Sequence, residues 1–279
     1  MSMRKSHAIA QLMLYVFIVL FLVISLFPFF WILVTSFKPE AEVMGAGAFR
    51  IIAENPTVQN YVTVIAERGM LMSIKNSFIV SGVCMLYVVA VASMSAYIIS
   101  RFNFRGKALL MGLILSVSMF PQMIVVGPLF NMYYNLGILN SYWITLAYST
   151  ITLPSAVWIM VTHFKQVPLA LEEAAKIDGC TIWGTLWRII FPLAAPGVAT
   201  TAIMTFIAAW NEYLLSYTMN IDYNYQTVPV RIGYLRTQFT IFWSEISAAT
   251  IVVTIPTLII VLIFQKQIVA GIVNGAVKE

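Results

Sequence analysis

Residues 165–197 read KQVPLALEEAAKIDGCTIWGTLWRIIFPLAAPG, a polar and charged segment set between two long apolar runs. Pro168 can open a helix, because its missing N–H costs nothing in a first turn. Glu172 and Glu173 follow early, where acids suit the positive helix end, and Ala174 and Ala175 are strong helix formers. Gly179 is placed to terminate that helix, and Thr181 to cap a second one. In the second helix Trp183, Leu186, Trp187 and Ile190 recur at i, i+3, i+4, i+7, so one face should be apolar and lie along a bilayer surface. Pro192 and Pro196 should break that helix before the next apolar run begins. The segment therefore predicts a compact helix–turn–helix. Two uses fit its short first helix: packing on its own bundle, or inserting as a knob into a soluble partner.

The surroundings fix the class. Of 279 residues, 61% are hydrophobic and 10% charged, against about 25% charged in soluble domains. Mean hydropathy is +0.89. The chain is expected to be an all-α integral membrane protein. Its net charge of +5 is read as basic residues flanking spans on the cytoplasmic side, not as a nucleic-acid surface. A bilayer core about 30 Å thick needs about 20 apolar residues per helix. Spans are expected near 11–35, 76–100, 108–131, 142–164, 197–217 and 246–265, six in one transmembrane domain over 1–279, with 165–196 as a loop between spans four and five. The first run resembles a signal peptide only at its start. It is too long and lacks a small-residue cleavage pattern, so it reads as an uncleaved span. Pro28, Pro121, Pro128, Pro154 and Pro256 fall within spans, where neighbours can re-satisfy the freed backbone groups.

Lys and Arg set the orientation. With both termini inside, the cytoplasmic segments hold Arg4, Lys5, Arg101, Arg105, Lys107, Lys165, Lys176, Arg188, Lys266 and Lys278. The outer segments hold Lys38, Arg50, Arg68, Lys75, Arg231 and Arg236, most of them in one long loop that counts less. The expectation is N-in, C-in, with 165–196 cytoplasmic. Cys84 and Cys180, and likewise His7 and His163, are isolated, so neither a disulfide framework nor a metal site is indicated.

The spacing Glu173-Ala174-Ala175, then Gly179, Ile189, Phe191 and Pro192 resembles the EAA loop of binding-protein-dependent ABC importer permeases, with Phe191 where that pattern has Leu. FFWILVTSFK at 29–38, WNEY at 210–213 and the tail FQKQIVAGIVNGAVKE at 264–279 are similar to the carbohydrate group, in particular the shorter permease of maltose-type importers. The tail of that group ends in Gly where this chain has Glu279. The resemblance implies a type I ABC importer permease fold in the plasma (inner) membrane of a bacterium or archaeon. It implies a separate ABC ATPase dimer, a second permease chain, an extracytoplasmic solute-binding protein, surrounding lipid, and a sugar or oligosaccharide substrate.

Carried onto this chain, Glu172, Glu173, Ala174, Ala175, Asp178 and Gly179 would form the coupling contact with the ATPase, and Asn274, Gly275, Ala276, Val277 and Lys278 a tail contact with it. The chain lacks GxxxxGK[ST], so ATP and Mg²⁺ would belong to the partner subunits and this chain would be no enzyme and hold no cofactor. For the substrate path or gate the polar candidates are Gln122, Asn131, Tyr148, Asn211, Glu212 and Tyr213. Glu212 stands out, because an ionisable residue inside a span is a functional candidate by default. The outer segments 37–75 and 219–244 are the surfaces open to a binding protein. Rival readings are an ion-coupled secondary transporter, an importer permease for a non-sugar solute, a membrane enzyme or a scaffold. The lack of a half-to-half repeat and of clustered acids or metal ligands weighs against the first and third of these.

Overall fold

The computed structural model describes the backbone of residues 2–276 and the side chains of residues 11–265. Its longer elements are α1 (Ser2–Ser36), α2 (Met70–Arg101), α3 (Lys107–Met119), α4 (Gln122–Asn135), α5 (Ile144–Gln166), α6 (Leu169–Ile177), α7 (Ile182–Leu193), α8 (Ala195–Trp210), α9 (Leu214–Met219), α10 (Val228–Gly233) and α11 (Trp243–Ala276). Four helices, Gln11–Ser36, Met70–Arg101, Ile144–Gln166 and Trp243–Gln265, are each long and apolar enough to cross a bilayer, and two bent pairs bring the possible number among the described residues to 6.

The bent pairs correct two expectations. The span expected over 108–131 is not one helix: α3 and α4 meet at 94°. Pro121 lacks an N–H and forces the residue before it out of the α region, and Phe120 sits extended at φ −73°, ψ 135°. At the other site α7 and α8 meet at 84°. Pro196 lies in the first turn of α8 and does not precede it, and Pro192 sits at the start of a short turn within α7. The run expected to continue to 217 stops at Trp210, and a separate short helix, α9, follows after Asn211–Tyr213. Pro28, Pro128, Pro154 and Pro256 all lie inside helices.

The chain folds as two compact units. The first takes the chain through Met70 and Ile232–Pro256. In it, the apolar side chains of α1 from Leu12 to Phe30 are exposed, as a lipid-facing helix requires. Lys38, just past α1, is fully buried. Its Nζ donates to the carbonyls of Gly47 (3.2 Å), Ala48 (2.9 Å) and Arg50 (2.5 Å) and lies 5.3 Å from the Trp31 ring centroid. Those donors satisfy a turn-rich loop that no strand or helix pairs. The Glu40 carboxylate accepts from the N–H groups of Trp243 and Ser244 and so caps α11, and Arg68 forks onto Glu245 in the first turn of that helix.

The second unit takes Leu71–Arg231 and the chain from Thr257 onward. Its core runs along one stripe of α2, with Val80, Cys84, Val88, Ala92 and Ala96 all fully buried at spacings of four. Ala147, Ala156, Val157, Met160 and Phe164 of α5 complete it. α5 also packs closely on α8. At Gly197 a Cβ would overlap both the imidazole and the Cβ of His163. Small residues set such approaches between membrane helices. Gly197→Ala is therefore expected to push α8 off α5 and lower the thermal midpoint of the purified protein, whereas Gly82→Ala, where nothing lies within 4 Å, should hold or raise it. Comparing the two by fluorescence-detected thermal unfolding checks this.

Candidate functional site

The first site is the helix pair α6–α7. Helix α6 starts after Pro168 and ends at Gly179, whose φ is +80°. The Gly179 N–H donates to Lys176 O (3.1 Å) and the Cys180 N–H to Ala175 O (2.9 Å), a Schellman closure that only a left-handed residue permits cheaply. Thr181 Oγ1 accepts from the Gly184 N–H at 3.1 Å and starts α7. The expected helix–turn–helix is present.

Its faces differ from the expectation. Glu172 and Ala175 are buried, while Glu173, Ala174, Asp178 and Gly179 are exposed. Successive residues on a helix point about 100° apart, which lets one of two adjacent acids turn to the bundle while the other faces outward. Glu172 turns inward to an ion pair with Arg101 at the end of α2, and Tyr97 donates to its second oxygen at 3.4 Å. It is therefore not available for an outward contact. Ile177 is 87% exposed beside Asp178 and extends the outward face with an apolar side chain, a feature its place in a helical run did not signal.

In α7, Leu186 and Ile190 enter the core and Trp183 and Trp187 are exposed, so the apolar face divides between the core and the outside. At about 100° per residue Trp183 and Trp187 fall on one edge of the stripe and Leu186 and Ile190 on the other, and a π-helical stretch runs over Leu186–Ile190.

The second site lies at the break between α8 and α9. A cleft of about 330 Å³ is lined by Gln122, Tyr148, Asn211, Glu212 and Tyr213, with Ile151, Thr152, Ala208, Ala209 and Leu214. It joins five of the residues singled out in the sequence. Asn131 is exposed on α4 and is not among the lining residues. Glu212 is buried and its oxygens are engaged: Oε1 accepts from Gln122 Nε2 (2.8 Å) and the Leu215 N–H (2.9 Å), and Oε2 accepts from the Ser216 N–H (3.1 Å). The carboxylate thus caps α9 and ties it to the first residue of α4. Thr227 Oγ1 donates to Ser216 Oγ at 2.9 Å, and Tyr148 is fully buried beneath the cleft. Tyr213 stacks on Tyr217, with centroids 5.3 Å apart and planes at 18°. Asn211 folds its amide back onto Ile207 O at 2.9 Å.

Of the tail residues, Val277 and Lys278 lie outside the described residues, and Asn274, Gly275 and Ala276 are described only as backbone at the end of α11.

Residues 88–274 match the model of the family described as "Binding-protein-dependent transport system inner membrane component". The chain belongs to this family. Similar members include the trehalose/maltose transport system permease protein MalG of Thermococcus litoralis, 36% identical over 98% of this chain and 99% of its own length. The sulfoquinovosyl glycerol transport system permease protein SmoH of Agrobacterium fabrum is 36% identical over 92% of this chain and 90% of its own. The trehalose transport system permease protein SugB of Mycobacterium tuberculosis is 38% identical over 91% and 93%. Among solved structures, a chain of a bacterial ABC transporter involved in the import of the acidic polysaccharide alginate superposes with a TM-score of 0.75 at 22% identity, covering 94% of this chain and 97% of that one. The likeness establishes the permease fold of this family for the present chain. Membership also places it in the membrane as a multi-pass inner-membrane component, in agreement with its exposed apolar helices.

Proposed function

We propose that this chain is the transmembrane permease subunit of an ATP-driven importer for a sugar or oligosaccharide. It forms half of the translocation pathway and docks a separate ATPase dimer on the outward face of α6. The observation that carries the docking is the exposed cluster Glu173, Ala174, Ile177, Asp178 and Gly179, closed by a Schellman turn and presented by a helix whose other face is pinned inside. Two acids, small residues and one apolar knob suit a cleft with a basic group. The sugar class is supported by relatives named for trehalose, maltose and sulfoquinovosyl glycerol.

In this reading the chain is a single permease domain of six spans, N-in and C-in. The two bent pairs supply the third and fifth spans, and 165–196 is the cytoplasmic coupling loop. A second permease chain forms the other half of the path. ATP and Mg²⁺ sit on the ATPase subunits, and the tail Asn274–Lys278 reaches toward them. A solute-binding protein docks on the outer segments 37–75 and 219–244. The cleft at Gln122, Tyr148, Asn211, Glu212 and Tyr213 belongs to the substrate path or its outer gate. Drive comes from differential affinity: ATP and the loaded binding protein each favour one conformation of the assembly, and hydrolysis releases it. Ion coupling through Glu212 is disfavoured, because three N–H donors already hold its carboxylate.

The test is a mild-detergent purification of the chain from its native membrane, followed by uptake in proteoliposomes. The expected result is co-purification of an ATPase and a second permease, with disaccharide uptake that needs ATP and the binding protein. A chain that purifies alone and takes up solute on an ion gradient without ATP would overturn the reading.

A further inference from the structure

Helix α2 is held by buried polar contacts at both of its ends, and each end grips a different functional segment. At one end Arg101 is nine-tenths or more buried, as is Glu172, and the two form an ion pair. Arg101 Nη2 also donates to Val167 O at 2.9 Å. Arg101 thus holds the chain on both sides of Pro168: the carbonyl just before the turn and the carboxylate just after it. Tyr97, one turn back along α2, donates to the same carboxylate at 3.4 Å. The ends match electrostatically, since Arg101 closes the negative end of α2 and Glu172 lies in the first turn of α6. At the other end Asn76 Nδ2 donates to the carbonyls of Asn224 (2.8 Å) and Gln226 (3.1 Å), and its Oδ1 accepts from Tyr142 at 2.7 Å. Ser77 Oγ accepts the Val228 N–H at 2.8 Å, and Ser73 Oγ accepts from Arg231 Nε at 3.1 Å.

From Ser73 to Arg101 the helix is unbroken and spans about 42 Å at 1.5 Å per residue. A rigid element gripped at both ends transmits displacement. We infer that α2 is a transmembrane rod that couples the α6 helix to the outer segment 223–231, and that Arg101 and Glu172 are the positioning residues that lock α6 to it. Covalent continuity joins α6 only to α5 and α7. The ion pair adds a path to a helix distant in sequence, and that path ends on the segment offered to the binding protein.

The inference rests on the docking reading of α6. It is tested in the complete importer in lipid nanodiscs, with assembly, basal ATP hydrolysis and stimulation by loaded binding protein measured together. Glu172→Gln keeps an acceptor but removes the charge. The double variant Arg101→Met, Glu172→Leu removes both charges, leaves no lone buried ion, and keeps the fold open to test if the single variant is not produced. Both are expected to assemble and to keep basal hydrolysis within about twofold, while stimulation falls at least tenfold and uptake falls with it. Asn76→Ala, at the far end of α2, should lower stimulation in the same way without touching the ATPase. Stimulation at the wild-type level in the double variant would overturn the rod. So would failure of the double variant to assemble, which would assign the pair to folding. If Glu173→Lys also left assembly and uptake normal, the docking reading itself would fall; if it abolished them while the double variant behaved as wild type, only the rod would.

Discussion

Glu173→Lys is expected to abolish uptake while leaving the chain inserted and folded. Glu173 is exposed on α6, so the substitution disturbs no core contact. Removing one partner of a charge pair at an interface costs about 2–5 kcal/mol. That is about 30-fold to several-thousand-fold in affinity, and a reversed charge adds repulsion. The ATPase should therefore be lost during purification at protein concentrations that retain it on the wild-type chain. The check is the ratio of ATPase to permease after size exclusion, read beside the thermal midpoint of the permease. A normal ratio with normal uptake would remove Glu173 from the docking face. The neighbouring acid gives the contrast. Glu172→Lys would set two cations together in a buried site, and the expected result is loss of folded protein. Adjacent residues of one motif thus separate into an outward position, proposed for docking, and an inward one paired with Arg101.

That separation was only half legible in the sequence. The end of α6 was legible, because a glycine followed by threonine supplies both a left-handed terminator and a cap, and both are local devices. The membrane class was legible from charge depletion. The inward turn of Glu172 was not, because its partner Arg101 lies far upstream and nothing in either residue's surroundings pairs them. Lys38 was read as one of several orientation charges, yet it is fully buried and organises a loop by donating to three carbonyls. Pro121 falls inside one expected span, and no local rule carries the 94° bend that it introduces there. The Trp/Leu stripe of α7 is legible as a stripe, but the division of its two edges, Leu186 and Ile190 into the core and Trp183 and Trp187 outward, depends on what packs beside it. Five of the six polar path candidates do line one cleft, since polar side chains in an apolar run gather wherever backbone groups are left unpaired.

Glu212 shows what such gathering does. The chain breaks helix at Asn211–Tyr213 within an apolar span, and the first N–H groups of α9 need acceptors there. The Glu212 carboxylate supplies them and also takes the amide of Gln122 from the broken span α3–α4. Glu212→Ala orphans all three donors. Each buried unsatisfied group costs about 1–3 kcal/mol, so the expected result is a large drop in thermal midpoint and loss of uptake. Glu212→Gln keeps one oxygen, which can still accept from Gln122 and Leu215, and turns an amide toward the Ser216 N–H. One donor is lost instead of three, and the variant should fold and retain most uptake. Measuring uptake per folded molecule for both variants separates the roles. Should the Gln variant fold with a normal midpoint and yet transport nothing, the charge itself would serve the path, and the cap would be the lesser part of what Glu212 does.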